Sequence, residues 1–104
     1  YVNKFQIIQY NVSYDINRNG SMNVTENITI INLDDTKAIF KRFIPIYNGV
    51  QIRNFKIFQK TKKGIEKAKH TIYIYKQHLC IDTGYILEYG KKENYFITYE
   101  LFFK

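Results

Sequence analysis

Alternating apolar and polar residues divide this chain into short segments of period two. Residues 8–16 place Ile8, Tyr10, Val12, Tyr14 and Ile16 on one face and polar side chains on the other. Because successive side chains of a β-strand point to opposite faces of the sheet, this pattern predicts a half-buried strand. The NRNG stretch that follows contains an Asn-Gly pair, which favours a tight turn, and residues 21–30 alternate again. Residues 8–30 are therefore predicted to form a β-hairpin.

The same period returns in shorter runs along the rest of the chain. Further strands are predicted at residues 38–45, 50–58, 70–75, 79–81 and 94–103. The KTKKG stretch at 60–64 is predicted to be an exposed connection closed by Gly64, and residues 63–70 are weakly compatible with one or two helical turns. Six to eight strands at this spacing predict an all-β fold, an antiparallel β-sandwich of immunoglobulin-like architecture with little or no helix.

Composition and length agree with this class. Hydrophobic residues make up 45% of the chain, and the aromatic 17% consists of Tyr and Phe, which favour strands. A chain of 104 residues suits one domain, so we expect residues 1–104 to form a single unit. No apolar run reaches the about 18 residues of a membrane-spanning helix. The chain begins at Tyr1 rather than Met, and we expect it to be part of a longer protein.

The stretch DINRNGSMNVTE, residues 15–26, matches the spelling of an EF-hand calcium loop. That loop needs a flanking helix on each side and a bidentate Glu at its twelfth position, whereas both flanks here alternate with period two. On a strand, Glu26 lies roughly 16 Å beyond the turn at ~3.3 Å per residue, too far to close around an ion at Asp15. We therefore predict a hairpin and no metal site.

Glu26 falls on the apolar face of its predicted strand, between Val24 and Ile28. An unpaired buried carboxylate is costly, because it loses its hydration. Arg42, in the third apolar segment, is able to form two parallel hydrogen bonds with it. We predict a structural Glu26–Arg42 ion pair; the alternative is a Glu26 side chain that reaches solvent at a sheet edge.

The net charge of +7 is unevenly distributed, with eleven basic and five acidic residues after position 52. A cationic surface attracts nucleic acid, anionic lipid head groups or acidic polymers. The alternative is a solvated lysine-rich face that reflects the Ile, Lys and Asn bias of an AT-rich genome. The candidate anion-binding patch consists of Arg53, Lys56, Lys60, Lys62, Lys63, Lys67 and Lys69.

Residue types that carry catalysis or hold metals are sparse. Cys80 is the single cysteine, Asp34 and Asp35 are adjacent in a predicted loop, and His70 and His78 flank a strand. None of them stands in a nucleophile, acid–base or zinc pattern. We predict no catalytic, cofactor-binding or metal-binding residue and no cofactor.

The order of several motifs resembles a known family, across nearly the whole chain. NGSMNVTENITI, FKRFIP, GVQIRNFKIF and DTGYILEYGKKENYFITYEL follow one another, as in the N-terminal extracytoplasmic domain of bacterial predicted membrane proteins grouped as domain-of-unknown-function family 2207. The matching residues are Gly20, Val24, Glu26, Arg42, Ile44, Pro45, Gly84 or Gly90, Tyr95, Ile97 and Tyr99. The resemblance implies a signal peptide before Tyr1, a β-sandwich outside the cytoplasmic membrane and membrane-spanning helices after Lys104. It implies no catalytic or binding residues.

These observations lead us to expect a non-enzymatic extracytoplasmic interaction or sensing domain. Its partners would be the membrane-spanning remainder of the same polypeptide and another protein, bound through Tyr-rich surfaces or exposed strand edges. The second hypothesis is a charge-driven binder of anionic polymers or lipid head groups through the basic patch, with nucleic acid not among the expected ligands. The third is an enzyme of unrecognised type, whose cleft would combine an acidic residue with His70 or His78.

Overall fold

The computed structural model describes residues 6–33 and 38–103, apart from the side chains of residues 38, 39 and 84–87. This part of the chain contains eight strands and no helix. The strands are β1 (Gln6–Ile16), β2 (Met22–Ile31), β3 (Ala38–Pro45), β4 (Val50–Thr61), β5 (Gly64–Lys67), β6 (Thr71–Tyr75), β7 (His78–Leu87) and β8 (Lys92–Phe103).

Two antiparallel sheets form the fold. The larger has the strand order β1-β2-β8-β4-β5 and the smaller has the order β3-β7-β6. The last strand of the chain, β8, lies at the centre of the larger sheet, between β2 and β4. The predicted all-β, antiparallel β-sandwich is therefore confirmed.

The core lies between the two sheets and is built from alternate residues of the strands. On β8, Tyr95, Ile97 and Tyr99 are buried, because they share the inner face of the larger sheet. Phe40 of the smaller sheet stacks on Tyr95, with ring centroids 4.7 Å apart, and so joins the two layers. The buried apolar cluster comprises Val24, Ile28, Ile30, Phe40, Ile44, Ile57, Ile81, Tyr95, Ile97 and Tyr99.

The predicted hairpin at the start of the chain is present. Asp15 pairs with Asn23, and Ile16 pairs with Met22. Gly20 has a φ of +84°, which an L-residue with a side chain rarely adopts. The Asn-Gly signal therefore identified a real turn.

The burial predicted for residues 8–16 is wrong. Tyr10, Tyr14 and Ile16 are 47%, 65% and 72% exposed, since β1 is an outermost strand of the larger sheet; on the same face, Val12 alone of the five predicted residues packs partly buried against the core. A register shift between Ile7 and Gln9 also places Ile7, rather than Ile8, on the same face as Tyr10. The edge strand β1 thus presents an exposed apolar face.

The predicted exposed connection at KTKKG is present as a tight hairpin, because Thr61 pairs with Gly64 and leaves Lys62 and Lys63 at the tip. Two other predictions for the second half of the chain need correction. Instead of the weak helical pattern predicted at 63–70, residues Gly64–Lys67 form strand β5, because they pair with β4. A third hairpin joins β6 to β7, and the strand predicted at 79–81 extends over His78–Leu87.

Candidate binding groove between the edges of the two sheets

The Glu26 side chain is 2% exposed in the interior of the sandwich. Arg42 of β3 donates from Nε to Oε1 over 2.9 Å and from Nη2 to Oε2 over 3.1 Å. The two parallel hydrogen bonds give the bidentate geometry expected of a guanidinium and a carboxylate. The predicted Glu26–Arg42 ion pair is therefore present, and it links strand β2 of the larger sheet to strand β3 of the smaller sheet.

Two tyrosines complete the polar network around this pair. The Tyr99 hydroxyl donates to Glu26 Oε2 over 2.6 Å, and Arg42 Nη2 lies 3.2 Å from the Tyr10 hydroxyl. Burial raises the pKa of Tyr99 far above its usual value, and the negative charge of Glu26 raises it further. Burial is also the main cause that raises the pKa of Tyr10, with Glu26 again contributing. Burial lowers the pKa of Arg42, but the hydrogen bond to Glu26, the charge of Glu26 and the interaction with Tyr10 together outweigh burial and raise it.

An apolar groove of about 290 Å³ lies next to this network, between edge strands β1 and β3. Hereafter it is called the β1/β3 groove. Its lining residues are Ile7, Tyr10, Ile28, Phe40, Lys41, Arg42 and Phe43. Ile28 and Phe40 are buried, whereas Ile7, Tyr10 and Phe43 are 57%, 47% and 42% exposed. The exposed aliphatic and aromatic side chains make the groove suited to apolar ligand groups.

The charged residues of the groove are already engaged with other parts of the protein. Arg42 donates to Glu26, to Tyr10 and to the Phe43 carbonyl oxygen, and Lys41 Nζ lies 3.7 Å from Asp82 Oδ2. The groove therefore offers hydrophobic surface and the outer backbone edges of two strands, rather than a free charge.

Residues 15–26, which match the EF-hand sequence pattern, do not have the geometry of a calcium loop. Asp15 pairs with Asn23, while Glu26 pairs with Val12 three residues further along β1, a separation of about 10 Å at ~3.3 Å per residue. The Glu26 carboxylate is occupied by Arg42 and Tyr99, and the Asn19 side-chain oxygen accepts from Ser21 over 2.6 Å. The Asn residues of this pattern are thus explained by the turn, and Glu26 is explained by the buried ion pair.

The seven predicted basic residues are all exposed, but they do not converge on one point. Arg53, Lys56 and Lys60 lie along β4 and Lys67 lies on β5. The hairpin tip carries Lys62 and Lys63, and Lys69 follows β5. Four of the seven therefore share one sheet, which the charge count alone did not reveal.

Of the other candidate residues, the structure describes His70, His78 and Cys80. His70 Nδ1 lies 2.9 Å from the Ala68 carbonyl oxygen and His78 Nδ1 lies 2.8 Å from that of Lys76, while Cys80 is buried. Asp34 and Asp35 lie outside the described residues. Among residues 6–33 and 38–103, no three His, Cys, Asp or Glu side chains form a group able to hold a metal ion. Nor does this part of the chain contain a helix long and apolar enough to cross a membrane.

The β1/β3 groove itself was not predicted from the sequence, and neither was the contribution of Tyr99 to the ion pair. Tyr99 meets Glu26 because β2 and β8 pair with Val24 opposite Tyr99. The alternation of residues 94–103 indicated the face on which Tyr99 lies, but not the neighbouring strand. Nor did alternation indicate that β1 and β3 lie close together, because that depends on the strand order of two different sheets.

No family model matches the chain, and no curated protein matches it either. The membership of family 2207 that the motif order suggests therefore stays a prediction. The case for a function accordingly depends on the geometry of the described residues.

Proposed function

We propose that this chain is a non-enzymatic interaction domain that binds an extended segment of a partner protein in the β1/β3 groove. The motif order further supports a place for it on the extracytoplasmic side of a bacterial membrane, within a longer membrane-anchored protein. The observation that carries the binding proposal is the apolar groove between two strands that both lie at the edge of a sheet.

Edge strands supply the backbone chemistry for such binding. An outermost strand has a row of N–H and C=O groups on its free side, and an extended peptide is able to pair with them. Natural edge strands are usually protected by Lys, Pro or a short length. Strand β1 has 11 residues and contains no Lys, Arg or Pro. From Gln9 onward, beyond the register shift after Ile7, its edge is therefore open to a further strand.

The side chains of the groove supply the selectivity. Alternate residues of a bound strand would point into the groove, toward Ile7, Phe40 and Phe43. Burial of one large apolar side chain contributes about 1.5–3 kcal/mol. The chain's net charge of +7 favours acidic residues beside the apolar positions of the partner, because long-range attraction speeds their encounter.

The Glu26–Arg42 pair holds the groove in shape. Arg42 crosses from the smaller sheet to Glu26 of the larger sheet and also contacts Tyr10 on the opposite wall. The two walls are therefore connected below the surface on which the partner would lie. A preformed site binds with a smaller loss of conformational entropy than one that must be ordered by its ligand.

A library of linear 11-residue peptides, the length of β1, tests this proposal by selection against the immobilised domain. We expect enriched peptides to alternate apolar and polar residues, and methylation of alternate backbone nitrogens to abolish binding. Phe43→Glu should lower the affinity at least about tenfold, which corresponds to ~1.4 kcal/mol. Tyr73→Glu is the matched control, because Tyr73 is similarly exposed, at 44% against 42%, on the opposite edge of the same sheet.

Two outcomes would overturn the proposal. One is the absence of any enriched alternating peptide. The other is enrichment that survives Phe43→Glu but is lost in Tyr73→Glu, since the binding edge would then be β6 rather than the β1/β3 groove.

A further inference from the structure

The outer face of the larger sheet combines aromatic and basic side chains. Residues opposite each other in antiparallel strands point to the same side, and Ile57 and Ile97 form a buried pair on the inner face. The adjacent pair, Phe58 on β4 and Phe96 on β8, therefore faces outward. Both rings are half-buried, and their Cβ atoms are about 5 Å apart in such a pair. Two aromatic side chains thus stand side by side on neighbouring strands in the middle of an open sheet.

Basic residues lie around Phe58, on one side of this aromatic pair. Lys67 of β5 is paired with Phe58, and Lys56, paired with Thr98, lies two positions before Phe58 on β4. Lys60 lies two positions after Phe58 on the same strand. Since residues two apart on a strand share a face, these three lysines and the two phenylalanines form one surface, here called the basic aromatic face.

A fourth cation extends this face along β4. Arg53 is paired with Glu100, and its guanidinium lies 4.5 Å from the centre of the Phe102 ring. The acidic residues Glu66 and Glu93 belong to the inner side, because Glu66 pairs with Gln59, which donates to Glu93 over 2.7 Å. On the described parts of β4, β5 and β8, Glu100 is the one acidic residue on the outer side.

Neutral polar residues continue the same surface across β2. Asn27 is paired with Phe96, and Thr25 is paired with Thr98. The side chain of Asn94 donates to Asn27 Oδ1 over 2.7 Å and to Thr29 Oγ1 over 2.8 Å. These contacts hold the amide and hydroxyl groups in a flat array next to the aromatic pair.

We infer that the basic aromatic face binds single-stranded nucleic acid, with phosphates on the lysines and unpaired bases stacked on Phe58 and Phe96. Proteins that bind single strands combine a cationic surface with aromatic rings on which bases stack, and an open antiparallel sheet is able to carry both. A duplex conceals the faces of its bases, and a lipid surface presents no flat ring to stack. The inference goes beyond the proposed function and uses a different surface from the β1/β3 groove.

Phe58 and Phe96 favour a ligand with flat rings, which the positive charge alone does not indicate. The lysine count is equally compatible with anionic lipids, acidic polymers and a solvated surface. Lysines alone provide no reason for two phenylalanines to stay partly exposed at the centre of a sheet, whereas stacking of a ligand on their rings supplies one. Because the strand register brings Phe58, Phe96 and three lysines together, the ligand is expected to have both flat rings and regular negative charges.

Fluorescence anisotropy with a labelled thymidine oligonucleotide of about 12 nucleotides tests the inference, since single-strand sites span ~4–16 nucleotides. The logarithm of the association constant should fall with the logarithm of salt concentration at about −0.7 per neutralised phosphate. If Arg53, Lys56, Lys60 and Lys67 each neutralise one phosphate, the predicted slope is about −2.8. Lys56→Gln and Lys60→Gln should each reduce the magnitude of this salt slope by about 0.7.

The aromatic residues should behave differently from the lysines. Phe58→Leu and Phe96→Leu should each weaken binding about 5- to 150-fold, the range that stacking of one base implies, with the salt slope unchanged. Phe96→Tyr keeps the ring and should retain binding. Phe103→Leu is the matched control, because Phe103 is 55% exposed on the same strand but pairs with Val50 on the opposite face. Lys76→Gln, in the β6–β7 turn, controls for net charge.

Several outcomes would overturn the inference. The absence of oligonucleotide binding at low salt would overturn it directly. Binding that is equally tight to a duplex or to a sulfated polysaccharide, and unaffected by Phe58→Leu and Phe96→Leu, would mean attraction by charge alone. Tighter binding to vesicles of anionic lipid than to the oligonucleotide would assign the surface to a membrane.

Discussion

At the scale of single residues, the buried carboxylate of Glu26 determines the chemistry of the interior. It lies between Val24 and Ile28 on a strand that is otherwise apolar on that face. Each oxygen accepts hydrogen bonds, from Arg42 at Oε1 and from Arg42 and Tyr99 at Oε2. These hydrogen bonds compensate the lost hydration of the charge. Removal of one member leaves the carboxylate partly unsatisfied, which destabilises the fold.

The first prediction concerns the coupling between Glu26 and Arg42. Removal of Arg42 leaves the buried Glu26 carboxylate without its counter-ion and with the Tyr99 hydrogen bond alone, so Arg42→Met should lower the free energy of unfolding by about 3–5 kcal/mol. In the cycle with Glu26→Gln, the double variant should lose less than the sum of the single losses, with a coupling of roughly 1–3 kcal/mol. Urea unfolding of the four proteins measures this coupling.

Lys41→Met provides the matched control for that cycle. Lys41 is the neighbour of Arg42 on β3, and its contact with Asp82 is 3.7 Å long and partly exposed. A pair of this kind contributes about 0–1 kcal/mol. A loss for Arg42→Met no larger than that for Lys41→Met would show that the buried pair does not stabilise the fold.

The second prediction concerns pH. Burial raises the pKa of Tyr99 above its unfolded value of 10.0, so the folded protein retains a proton that the unfolded chain releases. The contribution of Tyr99 to stability is therefore complete below pH 10 and declines above it, by about 1.4 kcal/mol per pH unit. Unfolding measured between about pH 10 and pH 11 should show this decline in the wild type and a smaller one in Tyr99→Phe.

Tyr47→Phe is the control for the pH series, because Tyr47 is 68% exposed. Near neutral pH, Tyr99→Phe should itself cost about 1.5–3 kcal/mol, the contribution of a hydrogen bond to a charged group. Equal alkaline slopes for wild type and Tyr99→Phe would contradict the prediction, whatever the cost at neutral pH.

At the scale of strands, alternation predicted the elements that are flanked by clear turns. The β1–β2 hairpin and the inner face of β8 follow directly from period two and from the Asn-Gly turn. The β6–β7 hairpin was missed because its turn consists of Lys76 and Gln77, which adopt φ values of +48° and +61°. Such values are typical of Gly, Asn and Asp, so neither residue signals a turn of this kind.

Burial of a strand was less predictable than its existence. Alternation reports that one face of β1 is apolar, but not whether a second sheet covers that face. Glu26 and Arg42 were predictable as a pair because a buried carboxylate requires a cation and Arg42 lies in the next apolar segment. The β1/β3 groove was not, since it arises from strand order: β1 and β3 are both outermost strands, in different sheets.

At the scale of the whole molecule, net charge and open strand edges act in opposite directions. All five residues of β6 are exposed, and none is charged; β1 contains one charged residue, Asp15. Uncharged edges favour pairing between molecules, whereas the net charge of +7 keeps molecules apart. The balance between these two effects depends on salt, because ions screen the repulsion but not the backbone hydrogen bonds.

The last prediction follows from this balance. The screening length falls from about 30 Å at 0.01 M salt to ~3 Å at 1 M, so the domain should be monomeric at low salt and should associate as salt is raised. Ile74→Lys should weaken association, because it places a charge on β6, one of the two open edges, where Ile74 is 70% exposed. Ile65→Lys adds the same charge at the 62% exposed Ile65 of edge strand β5, which Lys67 already protects, and should not weaken it. Sedimentation velocity distinguishes the cases: equal suppression by both variants would assign the effect to net charge, and a monomer at every salt concentration would show that the edges do not pair.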